Sequence, residues 1–245
     1  MAERRAARNP GCAPDIRQKI LRGLAERGVA IDEQAFERLL EDLARASAIG
    51  LTLGARQRAQ LVAFLALLAK WNRTYNLTAI REPERMVTHH VLDSLAVLPC
   101  LPRTDALRAL DVGSGGGVPG LPLAIARPSW NVVLLDASQK KGTFLRQATI
   151  ELGLSNVEAV TARIEDYVPD APFDVVISRA FSDLATFARA GIRLLAPGGR
   201  LYAMKGVLPV DEIAALPANV RVVTAPVLAV PGLDAQRHLV VMEAA

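Results

Sequence analysis

Apolar positions between residues 61 and 75 recur at helical spacing. Leu61, Phe64, Leu65, Leu68, Trp71 and Tyr75 form the stripe that an amphipathic helix lays against a core. An earlier stripe, Phe36, Leu39, Leu40 and Leu43, follows Asp32, a residue suited to capping a helix N-terminus. Residues 14–100 as a whole read as helical. The segment TYNLTAIREPERMVTHHVLDSL (74–95) is more polar and less regular, and it closes on a short helical run near Val91–Leu98 that Pro102 stops. From residue 106 the rhythm changes. Short apolar runs at 106–112, 131–136, 157–161, 173–180 and 200–206 alternate with helical stretches at 120–127, 139–153 and 183–195. Strand–helix alternation predicts right-handed crossovers and a doubly wound, mostly parallel sheet. The last two runs, 221–228 and 238–244, have about ten residues between them. That is too short for a helical crossover, so they are expected to pair antiparallel. The predicted organisation is a segment over 1–30, a helical region over 31–105 and an α/β domain over 106–245.

Composition narrows the class. The chain has 245 residues and is 51% hydrophobic, enough to bury a sizeable core. Its longest purely apolar run, Leu61–Ala69, is too short to span a bilayer. The N-terminus is basic with no apolar stretch behind it, which predicts no signal peptide and a cytoplasmic location. Cys12 and Cys100 stand far apart and are read as two reduced thiols, with no metal expected. The formal charge of +4 sits entirely in residues 1–27; residues 28–245 carry equal numbers of each sign. A basic N-terminal tail suits a polyanion or plain solvent.

The chemistry concentrates at LDVGSGGGVPGLPLAIA (110–126). Four glycines fall within the five residues 113–117, in the turn between the first strand and its helix, where open α/β sheets bind ligands. Glycine admits positive φ and close backbone approach, and the helix N-terminus favours an anionic group. No GK[ST] follows, so a Walker phosphate loop is excluded. Gly115, Gly117 and Gly120 formally match GxGxxG, but that register starts three residues past the strand and sets Pro119 inside the helix. D-x-G-x-G-x-G describes the turn better, and this is the turn of S-adenosylmethionine (SAM)-dependent methyltransferases. Asp136 closes the second strand, where a carboxylate accepts hydrogen bonds from both ribose hydroxyls of either SAM or NAD. The terminal antiparallel pair and the LLAPGGRLYAMKG stretch (194–206), read as helix, Pro-Gly-Gly turn and strand, favour SAM. A SAM methyltransferase with another acceptor and an NAD(P)-dependent oxidoreductase remain the alternatives.

WNRTYNLTAIREPERMVTHHVLDSL (71–95), LDVGSGGGVPGLPLA, LLDASQKKGTFLRQ (134–147), ISRAFS (177–182) and MKG (204–206) together resemble the RsmG/GidB family. That family comprises bacterial 16S ribosomal RNA guanine-N7 methyltransferases acting in the 530 loop. The resemblance covers about residues 30–245. It implies a Rossmann-like class I SAM-dependent methyltransferase fold with an antiparallel C-terminal strand and an N-terminal helical extension. It also implies SAM as cofactor and 16S rRNA in the small ribosomal subunit as partner. Gly113, Gly115, Gly117 and Val118 would lie in the SAM turn, with Asp136, Ile164, Glu165 and Arg179 completing the pocket. Guanine N7 carries its own lone pair, so no catalytic base is expected and rate rests on alignment. Ser178-Arg179-Ala180 stands where methyltransferases of exocyclic amines place an Asn/Asp-Pro-Pro turn, which agrees with a ring-nitrogen acceptor. N7 methylation leaves the base cationic, so Arg179 is expected on the SAM carboxylate or an RNA phosphate.

Several residues have two readings. His90 and Asp93, three apart, share a helix face and either touch RNA or dock the helical region on the sheet. Asn72 and Asn76 suit capping as well as substrate contact. Trp71 and Tyr75 are read as core. Lys140, Lys141, Arg146 and Lys205 fall at the ligand edge, as RNA contacts or as a solvated face. Asp174, at the opposite edge, is read as structural. A monomer is expected.

Overall fold

The computed structural model describes residues 50–179, 181 and 183–245. The expected basic tail over 1–30 and the Phe36–Leu43 stripe lie outside the described residues.

The first described helix is α1 (Ala55–Tyr75). Leu61, Phe64, Leu65 and Leu68 are buried as their spacing requires. Trp71 is half-buried and packs its ring 5.6 Å from that of Phe144. Tyr75, read as core, is instead 43% exposed. It rests on Trp71 at 5.1 Å, one turn further along the helix, so the stripe outruns the core. The helix ends at Asn76, whose φ of 50° is left-handed, a conformation asparagine tolerates. Asn72 is buried, and its Oδ1 accepts the Thr78 N–H at 2.9 Å. Both asparagines therefore terminate the helix.

Residues 83–95 continue as α2 (Pro83–Met86), a π-helical turn (Val87–Leu92) and α3 (Asp93–Leu95). A 3-10 turn follows at Leu98–Cys100. The α/β portion then alternates β1 (Arg108–Val112), α4 (Gly120–Ala126), β2 (Asn131–Asp136), α5 (Gln139–Glu151), β3 (Val157–Thr161), β4 (Phe173–Ser178), α6 (Leu184–Gly191) and β5 (Leu195–Lys205). It closes with α7 (Val210–Ala214), β6 (Val220–Thr224) and β7 (His238–Ala244). The seven strands form one sheet in the order β3-β2-β1-β4-β5-β7-β6. Strands β1 to β5 pair parallel, and β7 lies antiparallel between β5 and β6.

Successive strand residues point to opposite faces. Ala109, Val132 and Leu134 meet α1, α4 and α5; Leu110, Val112, Val133 and Leu135 meet α6 through Leu184, Phe187 and Ala188. Both faces are covered, which explains why the strands read as continuous apolar runs. Each buried aliphatic side chain contributes about 1.5–3 kcal/mol, so the sheet is a rigid base for what stands on its edges.

The Pro-Gly-Gly stretch departs from its sequence reading. It is not a turn ahead of the strand but part of β5, which starts at Leu195. Phe173 pairs with Leu195 and Val175 with Arg200, so β5 uses five residues where β4 uses two. Gly198 takes φ +79°, and a Cβ on Gly199 would stand 2.6 Å from the Phe173 carbonyl oxygen. Glycine permits this bulge. At the same edge of the sheet Asp174 accepts the Arg108 N–H at 2.8 Å, a structural bond between β4 and β1.

Candidate functional site

The glycine turn leaves β1 and is pinned to β2: the N–H groups of Gly113 and Ser114 both donate to the Leu135 carbonyl, at 2.8 and 3.1 Å. Gly113, Gly115 and Gly117 have φ of +72°, +56° and +83°, which restricts these positions to glycine. Their surroundings differ. A Cβ on Gly117 would lie 2.4 Å from a Leu121 methyl, so that glycine faces the core. A Cβ on Gly113 would meet nothing within 4 Å, and one on Gly115 only the Gly113 carbonyl at 3.7 Å. The first half of the turn therefore borders open space.

Beneath it stands Asp111, fully buried at the end of β1. Its Oδ2 accepts the Gly120 N–H at 2.9 Å, at the start of α4, and its Oδ1 has no hydrogen-bond partner among the described residues. Burial pushes this carboxyl up to about 7, against the Gly120 and Ser114 hydrogen bonds.

A cleft of about 200 Å³ opens beside the turn, lined by Gly113, Asp136, Ala162, Ile164, Glu165 and Phe181 among others. Asp136 organises it. Oδ2 accepts the Gly115 N–H and Oδ1 the Ser138 N–H, each at 2.9 Å, while Lys141 Nζ stands 3.8 Å from Oδ2. Each oxygen keeps a lone pair for a further donor. Arg193 holds the floor by donating to the Glu165 and Tyr167 carbonyls at 3.1 and 3.0 Å.

A second cleft, of about 410 Å³, opens over the ends of β4 and β5 and the start of β7. Ser178 Oγ donates to the Val112 carbonyl at 2.8 Å, tying β4 to β1 at the boundary of the two clefts. Three cations line the second cleft, Arg179, Lys205 and Arg237, against one carboxylate, Asp93. Arg179 donates to Asp93 Oδ2 at 3.3 Å and to the His89 carbonyl of the π turn at 2.7 Å. Arg237 Nε donates to Asp93 Oδ1 at 2.9 Å. Burial lowers Arg179 from its ordinary value, with Asp93 and then Asp111 acting against it. Lys205 is held by Glu212 at 2.8 Å.

The residues singled out from the sequence fall in three groups. Gly113, Gly115, Asp136, Ile164 and Glu165 come together around the first cleft, and Arg179 and Lys205 meet in the second. Gly117 and Val118 belong to the core side of the turn; Val118 is 9% exposed. Lys140 and Arg146 are exposed along α5; Arg146 donates to the Thr161 hydroxyl at 3.0 Å, next to Ala162 of the first cleft, and Lys141 reaches that cleft's Asp136. His90 is buried. Its Nε2 pairs with Thr78 Oγ1 at 2.9 Å and its Nδ1 lies 3.4 Å from an Arg179 nitrogen. Burial, then Arg179, lowers it to about 4, so the ring is neutral. In this conformation it docks the helical region and presents no surface to RNA. Asp93 as a bridge and Arg237 do not stand out as site residues in the sequence, and Asp111 stands there only as the first residue of the D-x-G-x-G-x-G turn. Arg237 carries a signal in principle: it precedes an antiparallel strand, whose N-terminal end lies at the carboxyl edge of the parallel ones.

These features fit SAM. Open space borders Gly113 and Gly115, Asp136 retains acceptors for a ribose, and Asp111 holds an orphaned acceptor below the turn. A family model described as GidB, rRNA small subunit methyltransferase G, matches residues 57–240. Ribosomal RNA small subunit methyltransferase G of Laribacter hongkongensis is 57% identical over 192 residues, 78% of this chain and 91% of that protein. The protein of the same name from Burkholderia multivorans is 49% identical over 220 residues, 88% and 96% of the two chains. Among solved structures, a SAM dependent methyltransferase from Aquifex aeolicus superposes with a TM-score of 0.51 at 18% identity, over 71% of this chain and 97% of that one. That likeness shows the class I methyltransferase fold. The chain belongs to the GidB family of small-subunit rRNA methyltransferases.

Proposed function

We propose that the chain methylates N7 of a guanine in the 530 loop of 16S rRNA, with SAM as methyl donor and the small ribosomal subunit as partner. One observation carries the reading: the second cleft, beside the Ser178–Val112 bond between β4 and β1, is lined among the described residues by no carboxylate other than Asp93, which two arginines engage. The relatives' name supplies the rRNA of the small subunit.

The chain's own residues orient and enclose. Gly113 and Gly115 admit the donor against bare backbone, Asp136 would receive its ribose, and Ile164 with Glu165 would border its adenosine. Bound SAM supplies a methyl group on a positively charged sulfur, open to in-line attack. Asp93, engaged by two arginines, is not free to take a proton from an amine. An acceptor with a ready lone pair suits this cleft, and guanine N7 is one. Rate then rests on proximity and alignment, effects worth about 7–11 kcal/mol in well-oriented systems.

The test is transfer of radiolabelled methyl from SAM to small subunits of cells lacking this enzyme, with the base identified by mass spectrometry. Label as 7-methylguanine in the 530 loop is expected. SAM binding without label would leave the donor site standing and move the acceptor elsewhere. Binding of NAD(P)H with no affinity for SAM would overturn the reading altogether.

A further inference from the structure

Asp93 joins two distant parts of the chain. Arg179 follows β4 and Arg237 precedes β7; nearly sixty residues separate them, and the same carboxylate receives both, at 3.3 and 2.9 Å. The Asp93 side chain is 3% exposed, whereas the arginines keep 25% and 23% of theirs open. The arginines' remaining N–H groups thus border the cleft while the anion that fixes them is hidden behind. A buried ion cluster is a poor device for stability alone, because desolvating its charges offsets most of their attraction. This one is also unbalanced, two guanidinium groups to one carboxylate. An excess positive charge held rigid at the rim of a cleft is what an anionic ligand group meets. The helix supplying Asp93 has a π turn just before it, a distortion that recurs at functional sites, and Arg179 also takes the His89 carbonyl from that turn.

From this geometry we infer that Asp93 is the positioning residue of the acceptor cleft: it aims Arg179 and Arg237 together at an RNA phosphate next to the target base. The inference rests on the rRNA reading above. Asp93 touches neither base nor methyl donor; it acts through the two guanidinium groups. One bridging carboxylate, with an oxygen to each arginine, sets their separation and directions, which a flexible lysine pair would not keep. The bound backbone then fixes the base, and an arginine engaged with phosphate stays off the cationic product.

The test compares wild type with Asp93→Asn, Arg237→Gln and the double variant. Binding to small subunits is measured across a salt series, with SAM affinity and thermal midpoint alongside. Asp93→Asn is expected to weaken subunit binding about tenfold and to flatten the plot of log affinity against log salt by about 0.7–0.9 for each phosphate no longer gripped. Arg179 lies in the second cleft and not among the residues lining the first, so SAM affinity should stay within about twofold; a loss of SAM affinity with an unchanged salt slope would put the arginines on the donor's carboxylate and overturn the inference. In the Arg237→Gln background the same substitution should have a clearly smaller effect, because the two residues act as a unit. A lowered midpoint with an unchanged salt slope would reduce Asp93 to a structural ion pair. So would fully multiplicative losses. If Asp93→Asn does not fold, Arg237→Gln alone decides: an unaltered salt slope overturns the inference. Methyl transfer on the same subunits is read separately. Label with no effect at Asp93 sinks only the positioning role, while the full binding effect without label sinks only the proposed reaction.

Discussion

Asp111 and His90 are both buried, and burial acts on them with opposite sign. For Asp111 the folded value of about 7 exceeds the ordinary 3.8. Between about pH 4 and 7 the native state keeps a proton that the unfolded chain has released. Rising pH therefore removes stability there, by at most about 1.4 kcal/mol per unit. For His90 the folded value of about 4 lies below 6.5. Over that interval the unfolded chain holds the extra proton, and rising pH adds stability at a similar slope. The two largely cancel from about pH 4 to 6.5. Relative to wild type, Asp111→Asn is expected to gain thermal midpoint as pH rises through this window, and His90→Gln to lose it. Parallel profiles for all three proteins would refute both assignments. The glycines separate just as sharply. Gly117→Ala forces a Cβ onto Leu121 at positive φ, and chemical denaturation should register a loss of about 2 kcal/mol or more. Gly113→Ala meets only open space; it should cost about 1–2 kcal/mol for its φ and show its main effect in SAM titration, as weakened affinity. The glycine turn and Asp136 were legible because their residue types are dictated by backbone shape and by a strand end. Asp111 was visible as the end of an apolar run, but nothing in a single sequence says that one carboxylate oxygen will be left without a partner.

Among the elements, the helices and parallel strands were legible because they are periodic and bounded by Gly, Pro and Asn. Asn76 illustrates a boundary: its left-handed φ ends α1. Asn76→Gly should leave stability within about half a kcal/mol, whereas Asn76→Val should cost about 1–2 kcal/mol, measurable by urea unfolding. Three features were not legible. The β5 bulge depends on how Gly199 meets the Phe173 carbonyl, an approach across strands. The π turn leaves no compositional mark on HHVLDSL. Tyr75 continues the α1 stripe in sequence, but the stripe carries no information about where the body of the protein stops. Glu212 belongs to this scale too. On α7 it accepts the Leu184 N–H at 2.7 Å, opening α6, and holds Lys205 at the end of β5. Glu212→Gln keeps much of the first bond and weakens the second. It should cost about 1 kcal/mol of stability and weaken subunit binding less than Asp93→Asn does.

At the scale of the molecule, the two clefts divide the work by sheet position: β1, β2 and β3 build one, β4, β5 and β7 the other. The charges are divided too, with Lys141 and Arg146 near the first cleft and Arg179, Lys205 and Arg237 lining the second. Neither group is a large basic face, so shape should matter as much as charge, and assembled small subunits should be methylated faster than naked RNA. Equal turnover on a short hairpin would contradict this. The order of the sheet carries one more consequence. β6 is synthesised before β7, yet β7 lies between β6 and the rest. On a translating ribosome, β6 emerges with no strand to join and must wait for the one behind it. Arg237 arrives only as β7 enters the gap. The last charge of the second cleft is therefore set in place by the event that closes the sheet, so on the reading proposed above a half-made chain lacks part of its grip on the RNA of the very machine producing it.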